Sequence, residues 1–262
     1  MKIEEFALAA TTNSLTREPE ARGVADLLEF RMDKAEEPIE QLSDYGGELP
    51  IIATNRTMWF GGKADDTGRL DRLFAASRFD AVELVDVELE TARSKDWMIE
   101  ELRDNDVQVI ISHHDFEDTP EQPILDRIFE QCAEYGDIAK VATFPQDYDD
   151  TLTLLDAIKT GTDRGHDVAG IAMGEVGSHT RIIAHLYGSK LGYAPLAADE
   201  TDGSWAVSPV WCVSCAPTRP RAVDEGVLAE ATVGIQSDPR KRRHYPVPIR
   251  VTLLNGRRRV EA

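Results

Sequence analysis

Lys140 lies in the run IAKVATF, flanked by apolar residues, in a chain that has only eight lysines against 21 arginines. A lone lysine in such a run is either a rim charge or a working amine. Held in a low-dielectric pocket among other cations, an amine gives up its proton readily and can attack a carbonyl. The iminium that results is an electron sink and acidifies the neighbouring carbon. His114, near the end of VQVIISHHD, has the ordinary pKa of a general acid/base and could take that proton, then return one to a departing hydroxyl. Arg31, Arg56 and Arg181 offer guanidinium forks for a carboxylate and hydroxyls, and Glu29 stands two residues from Arg31. The chemistry implied is Schiff-base elimination of water from a polar, anionic keto-acid, with no metal and no organic cofactor.

Plainer readings exist for each residue. Glu29 and Arg31 could form a structural ion pair, and Arg181 could be the first-turn charge of a short helix. His113 and His114 point to opposite faces of a strand and cannot chelate one ion. A phosphate loop at Gly174-Glu-Val-Gly177 is disfavoured, because Glu175 would repel the anion.

The elements that must position these groups recur regularly. Strand-like runs cover residues 5–11, 26–33, 50–56, 81–89, 107–115, 138–145, 168–174 and 190–196. Amphipathic stretches such as DTGRLDRLFAASR, DWMIEELRDN, PILDRIFEQCAEYG and YDDTLTLLDAIKTG lie between them. Eight such runs joined by seven connections predict an α/β fold, a (β/α)8 TIM barrel, with a doubly wound open sheet as the alternative. Because side chains alternate along a strand, Glu29, Arg31 and Asp33 share one face of the second strand. Ile52, Thr54 and Arg56 share a face of the third, Ile110, Ser112 and His114 of the fifth, and Ile138, Lys140 and Ala142 of the sixth. The polar members sit toward the C-terminal strand ends, where barrel enzymes build their sites.

A net charge of −19 argues against a nucleic-acid partner. No apolar run is long enough to span a membrane, and MKIEEFALAATTNS lacks the basic start of a signal peptide. An acidic, lysine-poor chain suits a salt-rich cytoplasm, so a halophilic cytoplasmic protein is expected. The three cysteines make no disulfide framework, and the spacing of Cys212 and Cys215 reads as incidental.

The charge is unevenly spread. Residues 1–202 carry 19 basic and 43 acidic side chains, a balance of −24; residues 203–262 carry 10 and 5, a balance of +5. Two domains are therefore expected, a catalytic barrel over 1–202 and an atypical basic tail over 203–262. Apart from a short strand in PIRVTLL, the tail has no sustained period.

Taken in order, EFRMD (29–33), the Arg-Thr of RTMWFGG (56–62), VDVEL (85–89), SHHDFEDTP (112–120), GDIAKVATFP (136–145) and GSHTRIIAHLYGS (177–189) resemble type I 3-dehydroquinate dehydratase over nearly all of residues 1–196. The resemblance implies a barrel, usually dimeric, that converts 3-dehydroquinate to 3-dehydroshikimate and water in the shikimate pathway of aromatic amino acid biosynthesis. It implies that Lys140 forms the Schiff base and that His114 is the general acid/base. Glu29 and Arg31 would bind ring hydroxyls with Arg56 nearby, and Arg181 would hold the carboxylate.

Two departures stand out. Phe60 occupies a position where the family commonly has glutamate, which implies altered pocket polarity. TDGSWAV (201–207) stands where the family has Ser/Thr-Ala-Pro-Gly-Gln, a loop that closes over substrate, followed by a final helix. Codons for Asp202 to Val207, read one base on, permit Thr-Ala-Pro-Gly-Gln. The tail is therefore read either as a frameshift product, with the eighth helix incomplete, or as a genuine basic appendage. Two other functions compete: a class I aldolase-type barrel, and a decayed, non-catalytic barrel.

Overall fold

A computed structural model of the protein describes residues 3–196, 251–254 and 257–260. They belong to two units. The second contributes a two-stranded antiparallel ladder, Val251–Leu254 paired with Arg257–Val260, the first strand falling inside PIRVTLL. The boundary expected at 202, the altered loop, the eighth helix, Cys212 and Cys215 all lie outside the described residues.

The first unit is built on eight parallel strands: β1 (Ala7–Thr12), β2 (Leu27–Arg31), β3 (Ile51–Thr54), β4 (Val82–Glu88), β5 (Gln108–His114), β6 (Ile138–Thr143), β7 (Val168–Ala172) and β8 (Leu191–Pro195). The pairing order β7-β6-β5-β4-β3-β2-β1-β8 brings the last strand back to the first. Between β7 and β8 the join is thinner. One bridge links Val168 and Ser189, Lys190 N donates to Val168 O at 2.7 Å, and Ser189 Oγ accepts from Gly170 N at 3.2 Å. The sheet is thus a nearly closed barrel, and the open-sheet alternative is excluded.

Each strand run expected from sequence is found; seven are trimmed at one or both ends, and the first is shifted to Ala7–Thr12, one residue past its expected end. The four amphipathic stretches give Arg69–Ala76, Trp97–Arg103, Gln122–Tyr135 and Tyr148–Asp163. In Gln122–Tyr135, Leu125, Phe129 and Cys132 fall at the i, i+4, i+7 spacing of one helical face and are buried. Tyr148–Asp163 is capped by Asp147, whose side chain accepts from Asp150 N at 3.0 Å. Leu89–Ser94 is a helix that begins immediately after β4. With no turn residues between them, the sequence reads there as a continuation of the strand.

Two cores follow from the two-residue strand period. Leu28, Phe30, Ile51, Ala53, Val85, Val87, Val109, Ile111 and Val141 face outward and pack under the helices. Leu27, Ile52, Leu84, Ile110, Ile138 and Leu191 face inward and fill the barrel floor. One step further along each strand, the inward positions turn polar. No helix among the described residues is long and apolar enough to cross a membrane.

Candidate active site

Above the apolar floor the inward positions are Glu29 on β2, Thr54 on β3, Asp86 on β4, Ser112 on β5 and Lys140 on β6. The cross-strand register pairs Thr54 with Asp86 and Ser112 with Lys140. Next along the strands come Arg31, Arg56, Glu88 and His114. This is the parity expected from sequence, and Glu29, Arg31, Arg56, His114, Lys140 and Arg181 all line one cavity at the barrel mouth.

Lys140 is 3% exposed. Its Nζ donates to Asp86 Oδ2 at 2.9 Å and lies 3.8 Å from Glu29 Oε1. The ring centroid of Tyr193 on β8 is 4.0 Å from the same nitrogen. The sequence suggested a cation-rich pocket, but the nearest charges to the amine are carboxylates, so the ammonium is paired before substrate arrives. Glu29 is fixed by Thr11 Oγ1, which donates at 2.7 Å, and by Thr54 Oγ1 at 3.2 Å.

Arg56 is buried and engaged. Its Nη2 donates to Asp86 at 2.8 Å, and its Nη1 donates to Ser112 Oγ at 2.8 Å and to Glu88 at 3.1 Å. Burial works against its charge, yet Asp86 and Glu88 raise the guanidinium above its ordinary value. Glu88 is held from its other side by Arg69, at 2.9 Å. Burial alone would raise the Asp86 carboxyl, but the Arg56 and Lys140 charges outweigh it and hold the group well below the usual carboxylate range. Arg56 is therefore placed to anchor Asp86, a different task from the open fork expected from sequence.

Arg31 makes a two-point ion pair with Asp33, both contacts at 2.9 Å, so its structural partner is Asp33 and not Glu29. Arg181 sits in the short helix Thr180–Ile183 and its Nη1 donates to Tyr193 O at 3.0 Å, which ties it to β8. From that helix Arg181 also lines the cavity. His114 is pushed well below its ordinary pKa by burial, with Arg56 and Lys140 adding to the effect. Its ring is neutral at pH 7 and can accept a proton. Among the described residues no group of three or more His, Cys, Asp or Glu is arranged to hold a metal ion.

Several site residues were not singled out by sequence. Tyr193 was not, although the period of KLGYAPL puts its side chain two residues beyond Leu191 and on the same inward face. Asp86 was not either, because its partners come from other strands. Thr11 carried no chemical signal of its own.

A buried amine among carboxylates and arginines at the C-terminal mouth of a (β/α)8 barrel defines a class: barrel enzymes that work on a polar anionic carbonyl compound. The family model described as type I 3-dehydroquinase matches residues 9–209. The chain is 46% identical over 209 residues to a 3-dehydroquinate dehydratase of Haloarcula marismortui, covering 77% of this chain and 91% of that one. It is 40% identical over 215 residues to the Halobacterium salinarum protein of the same name, covering 80% and 95%. The crystal structure of 3-dehydroquinate dehydratase from Geobacillus kaustophilus superposes with a TM-score of 0.70 at 26% identity, covering 80% of this chain and 89% of that one. The chain belongs to the type I 3-dehydroquinase family. That membership removes the aldolase alternative.

Proposed function

We propose that the protein is a hydro-lyase that dehydrates 3-dehydroquinate to 3-dehydroshikimate through a Schiff base on Lys140. The observation that carries this reading is the single amine at the floor of the cavity, buried and paired to Asp86. Asp86 stays ionised beside Arg56; the ammonium's proton passes to Glu29 or to water as substrate enters, and the freed amine adds to the ketone carbon. Loss of water from the carbinolamine gives an iminium. His114 then takes the proton from the adjacent carbon, and the C–H electron pair moves onto the iminium nitrogen as an enamine. The enamine pushes out the hydroxyl on the next carbon, to which His114 returns its proton as water leaves. Water hydrolyses the remaining iminium and restores Lys140, so the net change is loss of one water.

Glu29 and Arg31 bind ring hydroxyls in this scheme, Arg56 holds Asp86 close by, and Arg181 meets the carboxylate. The proposal extends to a homodimer, as the family resemblance implies, and to a salt-rich cytoplasm, supported by the net charge of −19 and by the haloarchaeal relatives. It also separates a catalytic barrel from a basic tail after residue 202, supported by the charge reversal there and by a family match ending at 209. The test is reduction of the protein with borohydride in the presence of 3-dehydroquinate. A mass increase on the Lys140 peptide is expected, lost in Lys140→Ala; an adduct elsewhere, or full activity in that variant, overturns the reading.

A further inference from the structure

We propose that Phe116 is the positioning residue of the acid–base histidine, fixing the plane of the His114 imidazole by a stacked ring where a carboxylate would otherwise hold it. The inference rests on the reading of His114 as the proton-transfer group. A working imidazole is ordinarily oriented by a hydrogen bond at the ring nitrogen that does not react. Here Nδ1 of His114 is buried and has no hydrogen-bond partner among the described residues.

The carboxylates that face the site from β4 are committed elsewhere. Asp86 receives Arg56, Ser112 and Lys140, and Glu88 receives Arg56 and Arg69. Glu83 shares the strand parity of the outward-facing Val85 and Val87. Phe60, which lines the same cavity, adds no acceptor.

What the imidazole does meet is an aromatic plane. The rings of His114 and Phe116 lie 5.8 Å apart between centroids and 11° from parallel, an offset stack. Phe116 is itself held on both sides. Its backbone sits in a turn closed by Asp115, whose Oδ1 accepts from the N–H groups of Glu117 and Asp118, each at 2.9 Å. The tip of its ring reaches Gly61, where an added Cβ would come within 2.7 Å of Phe116 Cζ. Yet the side chain is 46% exposed, so its place is not set by burial in a core. An apolar ring left half in water, wedged between a glycine and the imidazole, is accounted for by the contact it makes.

The experiment compares Phe116→Leu, Phe116→Tyr and His114→Ala in the full chain. Phe116→Leu is expected to lower kcat by about tenfold to a hundredfold, the effect of a misplaced proton-transfer group. KM should stay within about twofold, and borohydride trapping on Lys140 should be undiminished, because the amine is untouched. Phe116→Tyr keeps the stacked plane and should restore most of the rate. An unaltered kcat in Phe116→Leu, with His114→Ala inactive, overturns the inference alone. A rise in KM that accounts for the whole loss makes Phe116 a pocket wall and also overturns it. Full activity in His114→Ala sinks the reading of the histidine, and the inference with it.

Discussion

Replacing Asp86 by asparagine keeps the shape of the side chain and removes one buried charge. The carboxylate is 1% exposed and accepts from Arg56 at 2.8 Å, Ser112 at 2.6 Å and Lys140 at 2.9 Å. The amide oxygen can still accept from Arg56 and Ser112, but the amide N–H groups then face the Lys140 ammonium, donor against donor. Two buried cations are left with Glu29 and Glu88 alone. Breaking a buried pair by neutralising one partner costs about 3–5 kcal/mol, against a whole-domain stability of about 5–15 kcal/mol. With a urea slope of about 2–3 kcal/mol per molar, the unfolding midpoint should fall by about 1–2.5 M.

Urea unfolding in molar salt is the fitting assay, because buried pairs are screened far less than exposed ones. The internal control is Lys159→Met, which removes the exposed pair with Asp163 and should move the midpoint little. Sign and pH window follow from the depressed Asp86 carboxyl. Unfolded, it titrates near ~4, so its contribution is complete above that pH and is lost as pH falls toward the folded value. The gap between wild type and Asp86→Asn should therefore narrow below about pH 4. A variant with the wild-type midpoint at neutral pH would refute the account of Asp86 as the hub of the site.

Burial first, then Arg56 and Lys140, hold the His114 imidazole well below its ordinary pKa, so the acid limb of kcat/KM that it sets should lie on the acid side of the ordinary imidazole value; a limb at that ordinary value, near ~6.5, contradicts this. Phe60→Glu places a carboxylate in the same cavity; that charge favours the imidazolium, so the limb should move to higher pH, and a limb that stays put means that the two side chains do not interact. Gly170 on β7 has no room for a side chain, since an added Cβ would come 2.3 Å from Ile158 Cδ1. Gly170→Ala should cost about 1–3 kcal/mol, read as a lowered melting temperature, and an unchanged melt would show that the helix can retreat.

The site was legible in sequence as far as strand parity reaches. Glu29-Arg31-Asp33, Ile52-Thr54-Arg56, Ile110-Ser112-His114 and Ile138-Lys140-Ala142 each run along one strand face in twos, so chemistry-bearing side chains could be sorted to one face before any contact was known. Parity does not reach across strands. Arg56 meets Asp86, Glu88 and Ser112 at separations of 30, 32 and 56 residues, and these contacts decide whether it is an open fork or an anchor. Tyr193 meets Lys140 only because the last strand returns to the first. The missing acceptor on His114 is likewise a property of the assembled pocket, since acidic residues are plentiful in this chain and those facing the site from β4 are already engaged. An acidic sequence offers many candidate partners for a cation or an imidazole. The barrel's register, with the competition among buried cations, decides which carboxylates are used, and here it leaves the histidine to an aromatic ring.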